Sequence, residues 1–192
     1  MVAIVDYGVG NLFSLECSLN AIGAEVTVTA DPEVLKSADQ VLLPGVGAFG
    51  DAAEKLRSTG LDAVLKDLTA QGKPLLGICL GMQLLFEKGY EYGEHEGLGL
   101  IKGSVVPMEG VIPADLKIPH IGWNALKFKN PSPLFKNIQD GDCVLCPLLL
   151  RRQLRRKPHR HRRVRRGAHR RGCQQERLWL SVPPGKERRC GS

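Results

Sequence analysis

The sequence predicts an α/β fold, a mostly parallel sheet with helices on both faces. Two observations carry that expectation. Short apolar runs closed by glycine or proline, MVAIVDYG, QVLLPG and KPLLGICLG, have the look of buried strands. They alternate with segments whose apolar residues recur at helical spacing, and a βαβα order implies a parallel sheet shielded by its crossover helices.

Each element follows from local chemistry. MVAIVDYG is the first strand. From Asn11 to Ile22, Leu12, Leu15, Leu19 and Ile22 mark one helical stripe. AEVTVTA alternates as a second strand. Asp31 is placed to cap a helix opening at Pro32, because proline suits a first turn. QVLLPG is the third strand, and Asp51 to Thr69 is one long amphipathic helical stretch. KPLLGICLG is strand then turn, and MQLLFEKG continues as a helix. Beyond Leu98 the pattern shifts to shorter β segments, GLGLIKGSVVPM and HIGWNALKF.

The net charge of +7 hides a division. Residues 144–192 hold 16 Lys and Arg against 2 Asp and Glu, whereas residues 1–143 hold 11 against 18. The chain therefore divides into an acidic α/β domain, 1–143, and a basic tail, 144–192. No apolar run reaches the roughly 18 residues of a membrane span. The start has neither the basic region nor the apolar stretch of a signal peptide. A cytosolic protein is expected. Cys143 and Cys146 form a lone CxxC, weak evidence for a metal without a second pair.

Two predicted strand ends carry chemistry, where ligands of such sheets bind. Gly77-Ile78-Cys79-Leu80-Gly81 has the form of a nucleophile elbow. Its glycines permit a tight turn, and a helix N-terminus beneath Cys79 favours the reactive thiolate. The competing reading is a buried structural cysteine. Pro44-Gly45-Val46-Gly47-Ala48-Phe49-Gly50 leaves backbone N–H groups free to face a tetrahedral oxyanion, together with the N–H of Leu80. A phosphate loop is a weaker alternative, because no G-K-[ST] is present, and a turn without ligand is the third.

DYGVGNL, PGVGAFG and KPLLGICLGMQLLFE together resemble the class I, triad-type glutamine amidotransferase domain. PHIGWN, Pro119 to Asn124, narrows the resemblance to the glutaminase subunits of imidazole glycerol phosphate synthase in histidine biosynthesis. It runs from Met1 to about Asp142.

The resemblance implies a mechanism. The Cys79 thiolate attacks the side-chain amide of glutamine, ammonia leaves, and water releases glutamate from the thioester. Gly45, Val46, Gly47 and Leu80 supply the oxyanion environment, after a backbone rearrangement at Val46. Gln83 contacts substrate, its alternative being a solvent-facing helix residue. Ammonia passes into a partner (β/α)8-barrel cyclase subunit. Pro119, His120, Gly122, Trp123 and Asn124 lie at that interface, although Trp123 on its own reads equally as a core aromatic. No cofactor and no metal are implied.

The sequence departs from the family late. The family draws its general base and orienting carboxylate from an F-H-P-E segment, preceded by a strand containing V-H-S-Y-Y. Neither string is present. His159, His161 and His169 lie among arginines, with no apolar strand around them. A shifted reading frame accounts for this. Codons allowed for VLCPLLLRR, Val144 to Arg152, spell Y-F-V-H-S-Y-Y-A when read one base later. Codons allowed for Gln174 to Ser192 spell N-K-N-V-Y-G-C-Q-F-H-P-E-K-S-G-D-V-G. The shift falls near Gly141 to Cys143. The missing His codon straddles Pro183 and Pro184, and the missing Glu codon straddles Gly185 and Lys186. The late strands are accordingly expected to be missing or disordered, and the chain to be an impaired glutaminase. Two further readings stay open: a docking remnant of that subunit, and a basic nucleic-acid-binding protein. The last lacks interleaved aromatics, since the tail holds only Trp179. It also lacks any recognised binding signature, so no specific nucleic acid is expected.

Overall fold

The computed structural model describes residues 1–108 and, beyond them, the backbone of three strand segments, 122–125, 142–145 and 149–152. Its first sheet holds β1 (Val2–Val5), β2 (Val26–Thr29), β3 (Gln40–Leu43) and β4 (Leu75–Gly77) in the order β2-β1-β3-β4. All its pairings are parallel.

The connections are helical. They are α1 (Leu12–Ala21), α2 (Pro32–Ser37), α3 (Phe49–Ser58) and α4 (Leu61–Ala70). Asn11 caps α1 by accepting from the Ser14 N–H, and Asp31 caps α2 by accepting from the Glu33 N–H. Asp31 with Pro32 is thus the helix start that the sequence predicts. Right-handed crossovers decide the layers. The chain moves one way from β1 to β2 and the other way from β2 to β3. Helix α1 therefore lies on one face, and α2, α3 and α4 on the other. The core sits on the three-helix face, where Ala3, Val5, Val41 and Leu43 pack with Leu35, Leu56, Leu61 and Leu65.

A second sheet has the order β10-β7-β5-β6. It comprises β5 (Phe86–Gly89), β6 (His95–Glu96), β7 (Ile101–Pro107) and β10 (Leu149–Arg152). Strands β8 (Gly122–Ala125) and β9 (Asp142–Leu145) form an antiparallel pair.

Four expectations are corrected. The Asp51–Thr69 stretch is two helices, divided at Thr59 and Gly60, where Gly60 takes φ 73°. An L side chain is strained in that left-handed conformation, so glycine marks the break. MQLLFEKG is not one helix. The helix after the elbow, α5, spans only Leu80–Gln83, and the chain then extends as β5. Strand β5 pairs with β7 and β6, and Gly89 lets the Phe49 ring approach its backbone, 2.5 Å from where a Cβ would stand. The helical periodicity of the apolar run gives way to these pairings. The short helix in turn makes a helix-dipole effect at Cys79 smaller than predicted, because the dipole grows with aligned peptide units. Finally, a late strand is present. Leu149–Arg152 pairs antiparallel with β7, with Leu150 opposite Val106, as a Leu run adjoining an apolar strand can do.

Candidate active site

The order β2-β1-β3-β4 sets the carboxyl ends of β1, β3 and β4 side by side. Three loops meet there. The β1 loop brings Tyr7 and Gly10, the β3 loop brings Pro44 to Ala48, and β4 ends in the elbow at Cys79. In parallel α/β sheets this edge, near the reversal of strand order, is where ligands bind.

Glycines let the loops touch. A Cβ on Gly10 would stand 3.0 Å from the Pro44 side chain, with φ 126°. A Cβ on Gly45 would stand 2.5 Å from the Gly81 amide nitrogen and 3.0 Å from Leu80. A Cβ on Gly81 would stand 1.9 Å from the Leu43 carbonyl oxygen, and one on Gly77 2.5 Å from the Met82 Cα. The β3 loop and the elbow are thus in backbone contact, which larger residues would prevent.

Cys79 is half-buried and not in a disulfide. It holds φ 54° and ψ −119°. A non-glycine residue in that region is strained by about 1–3 kcal/mol, and strain of this kind concentrates at functional positions. The elbow is held by backbone bonds. The Ile78 N–H donates to the Leu43 carbonyl at 2.9 Å, and the Gly81 N–H to the Ile78 carbonyl at 3.0 Å. The Cys79 carbonyl accepts from the Met82 and Gln83 amides at 3.0 and 3.2 Å. Leu80 is buried beneath the turn and Gln83 is half-buried one turn on.

The Gly-rich loop is fastened at both ends and open between them. Val46 is 43% exposed, and Gly47 has φ 90° with open space around it. At the far end, the Phe49 N–H donates to Glu91 Oε2 at 2.8 Å, and the His95 ring lies against Gly50. Among the described residues no backbone hydrogen bond holds the Gly47 amide, and an amide so placed between fixed anchors can turn toward a developing negative charge.

Sequence reasoning missed two participants. Tyr7 is buried, and its hydroxyl donates to the Pro44 carbonyl at 2.8 Å, tying the β1 loop to the β3 loop. Burial first, and the nearness of Cys79 second, push its hydroxyl pKa well above the ordinary tyrosine value. The DYG string at the end of a predicted strand was the available signal. Glu91 is the other, and it carried none, because it acts on a loop 42 residues earlier in the chain.

The remaining predicted residues are distributed differently. Gly122, Trp123 and Asn124 lie on β8, in register with Leu145, Val144 and Cys143. Pro119 and His120 lie outside the described residues, as do Cys146, His159, His161 and His169. Among the described residues no cluster of three His, Cys, Asp or Glu is placed to hold a metal ion, and no helix is long and apolar enough to cross a membrane.

This geometry, an elbow cysteine beside a glycine-rich strand end, agrees with comparison to known proteins. The profile of Glutamine amidotransferase class-I matches residues 3–144. The chain belongs to the class-I glutamine amidotransferase family. Among curated relatives, "Imidazole glycerol phosphate synthase subunit HisH" of Aquifex aeolicus (strain VF5) is 51% identical over 142 residues, which are 73% of this chain and 67% of that protein. The protein of the same name from Bacillus subtilis (strain 168) is 48% identical over 143 residues, 73% of this chain and 68% of its own. A solved structure titled "Crystal structure of glutamine amidotransferase" superposes with a TM-score of 0.62 at 19% identity, covering 80% of this chain and 75% of that one. At that identity the likeness speaks to the fold.

Proposed function

We propose that residues 1–143 are the glutaminase domain of an imidazole glycerol phosphate synthase. In this reading Cys79 is the nucleophile. Its thiolate attacks the glutamine side-chain amide, ammonia departs, and water hydrolyses the glutamyl thioester to glutamate. Gly45, Val46, Gly47 and Leu80 surround the oxyanion, and Gln83 contacts the substrate. The ammonia passes to a cyclase subunit in a cytosolic heterodimer, where it enters a lyase reaction. The β8 residues Gly122, Trp123 and Asn124, with Pro119 and His120, face that partner.

The observation that carries this reading is the strained backbone of Cys79 at the end of β4, in contact with the Gly45 loop. Half-identical relatives bearing the same subunit name support the assignment of substrate and partner.

A change of reading frame belongs to the same proposal. The family match ends at residue 144, just past the predicted shift near Gly141 to Cys143, while the chain runs on to residue 192. The F-H-P-E string is absent from residues 145–192. The chain with this tail therefore turns glutamine over poorly, because a positioned base contributes about 10²–10⁴-fold. Docking on the cyclase without ammonia production is the second reading, and it rests on the PHIGWN resemblance alone.

A glutamine-derived diazoketone tests the nucleophile directly. Mass spectrometry of the labelled full chain should place the adduct on Cys79 ahead of the exposed Cys17, with glutamine slowing the labelling. Labelling of Cys79 that ignores glutamine would contradict a glutamine site.

A further inference from the structure

The loop after β3 has two fixed ends of similar construction. At the near end the buried Tyr7 hydroxyl donates to the Pro44 carbonyl at 2.8 Å. At the far end Glu91 Oε2 accepts from the Phe49 N–H at 2.8 Å, and the Ala48 carbonyl accepts from the Ala52 N–H at 3.2 Å. A trans peptide group is planar and sends its carbonyl and its N–H in opposite directions. A bond to either one therefore orients both. Tyr7 orients the Pro44–Gly45 peptide, and Glu91 with Ala52 orients the Ala48–Phe49 peptide.

The peptides between these two planes have no such hold. Among the described residues no hydrogen bond is made by the N–H groups of Val46, Gly47 or Ala48. Gly47 takes φ 90°, with nothing within 4 Å of its Cβ position. Any turn of an N–H toward Cys79 is made within this short span, and it starts from the direction of the Pro44–Gly45 plane. Backbone contact with Leu80 and Gly81 fixes where Gly45 sits. Contact at a residue without a side chain does little to fix the rotation of its peptide. The Tyr7 hydrogen bond supplies that restraint. Burial, and then the nearness of Cys79, push the Tyr7 hydroxyl pKa well above its ordinary value, so it remains a donor where a thiol ionises.

We propose that Tyr7 is a positioning residue for oxyanion formation at Cys79: its hydroxyl holds the Pro44–Gly45 peptide, and so starts the Gly45–Gly47 span in the orientation from which its amides meet the developing charge. This role rests on the proposed glutaminase reading, in which Cys79 is the nucleophile.

Two reagents separate the oxyanion from the thiol. p-Nitrophenyl acetate acylates a thiolate through a tetrahedral adduct. The C–S bond forms, the carbonyl oxygen takes the negative charge, and p-nitrophenolate leaves as the carbonyl re-forms. Iodoacetamide alkylates the same sulfur by displacing iodide, and no oxyanion develops. Both reactions are followed on the full chain, at one pH, by mass spectrometry of the peptide that contains Cys79. In Tyr7→Phe acylation should fall about tenfold, less than the roughly 10²–10³ that loss of an oxyanion donor itself costs, while alkylation changes by less than about twofold. Gly60→Ala, which strains the turn beyond the far end of α3, should leave both rates as they are, and so separates positioning from a general loss of stability. p-Aminophenylalanine in place of Tyr7 returns a donor to the Pro44 carbonyl and should restore most of the acylation rate, which decides the matter even if the Phe variant folds poorly. Unchanged acylation in Tyr7→Phe, equal falls with both reagents, or no recovery with p-aminophenylalanine overturns the positioning role. Glutamine should slow acylation of the unaltered chain. If it does not, while the contrast between the two reagents holds, Tyr7 keeps its role and the glutaminase reading falls instead.

Discussion

A Cβ added to Gly45 would stand 2.5 Å from the amide nitrogen of Gly81. The two glycines join the β3 loop to the elbow of Cys79, so the proposed nucleophile and its proposed oxyanion loop form one packed unit. The contact also works in reverse, since a Cβ on Gly81 would press on the Leu43 carbonyl.

Gly81→Ala should therefore destabilise the domain by about 3 kcal/mol, since rigid backbone is what must move. Gly47→Ala meets nothing within 4 Å and bears only the strain of φ 90°, about 1 kcal/mol. Urea unfolding midpoints of the two variants check the contrast. Equal losses would show that the loops are not in contact.

Tyr7 makes stability fall in alkali. Its hydroxyl pKa is raised in the folded chain by burial and by Cys79, while the unfolded chain ionises it at its ordinary value of 10.0. Folding thus favours the neutral form. The contribution is fully present below pH 10 and lost as pH rises beyond it. Tyr7→Phe should flatten the alkaline limb of a stability profile. At neutral pH it should cost about 1–3 kcal/mol, the penalty of a buried Pro44 carbonyl left without its donor.

Glu91 caps α3 from the β5–β6 loop through the Phe49 amide. Glu91→Ala should cost about 1 kcal/mol, as loss of a helix N-cap does. That corresponds to a fall in Tm of about 3 °C for a chain of this size. Glu91→Gln keeps an acceptor oxygen and should recover most of the loss. Thermal unfolding of both variants decides this, and equal losses would assign the effect to charge rather than to the cap.

Gly60 ends α3 and opens α4 at φ 73°, with nothing within 4 Å of its Cβ position. Gly60→Ala should cost about 1 kcal/mol through backbone strain alone, and Gly60→Asn less, because asparagine tolerates the left-handed region better. An unchanged melting temperature in Gly60→Ala would contradict the observed break between the helices.

Much of the first sheet was legible because its signals are local. Asp31-Pro32 marks a helix start by capping and by fixed φ, and QVLLPG ends in residues that cannot continue a strand. The elbow was legible because G-x-C-x-G encodes a turn type as well as a chemistry. What stayed hidden depends on distant partners. Phe86–Gly89 is a strand because β6 and β7 lie beside it, and an apolar run of that length carries no period strong enough to say so. Tyr7 and Glu91 act on loops 37 and 42 residues away, which no spacing rule reaches. Gly60 was visible as a residue, but a lone glycine in a helical pattern is often tolerated.

The most direct test of the proposed glutaminase and its frame change compares two versions of the chain with one cyclase partner. One is the present sequence, and the other carries a one-base change near codons 141–143 that moves the downstream reading one base later. Glutamate release from glutamine is the readout. The expected result is turnover by the restored version that Cys79→Ala abolishes, and turnover at least about 10²-fold slower by the unaltered chain. Equal rates from the two versions, or no turnover from the restored one, would contradict it.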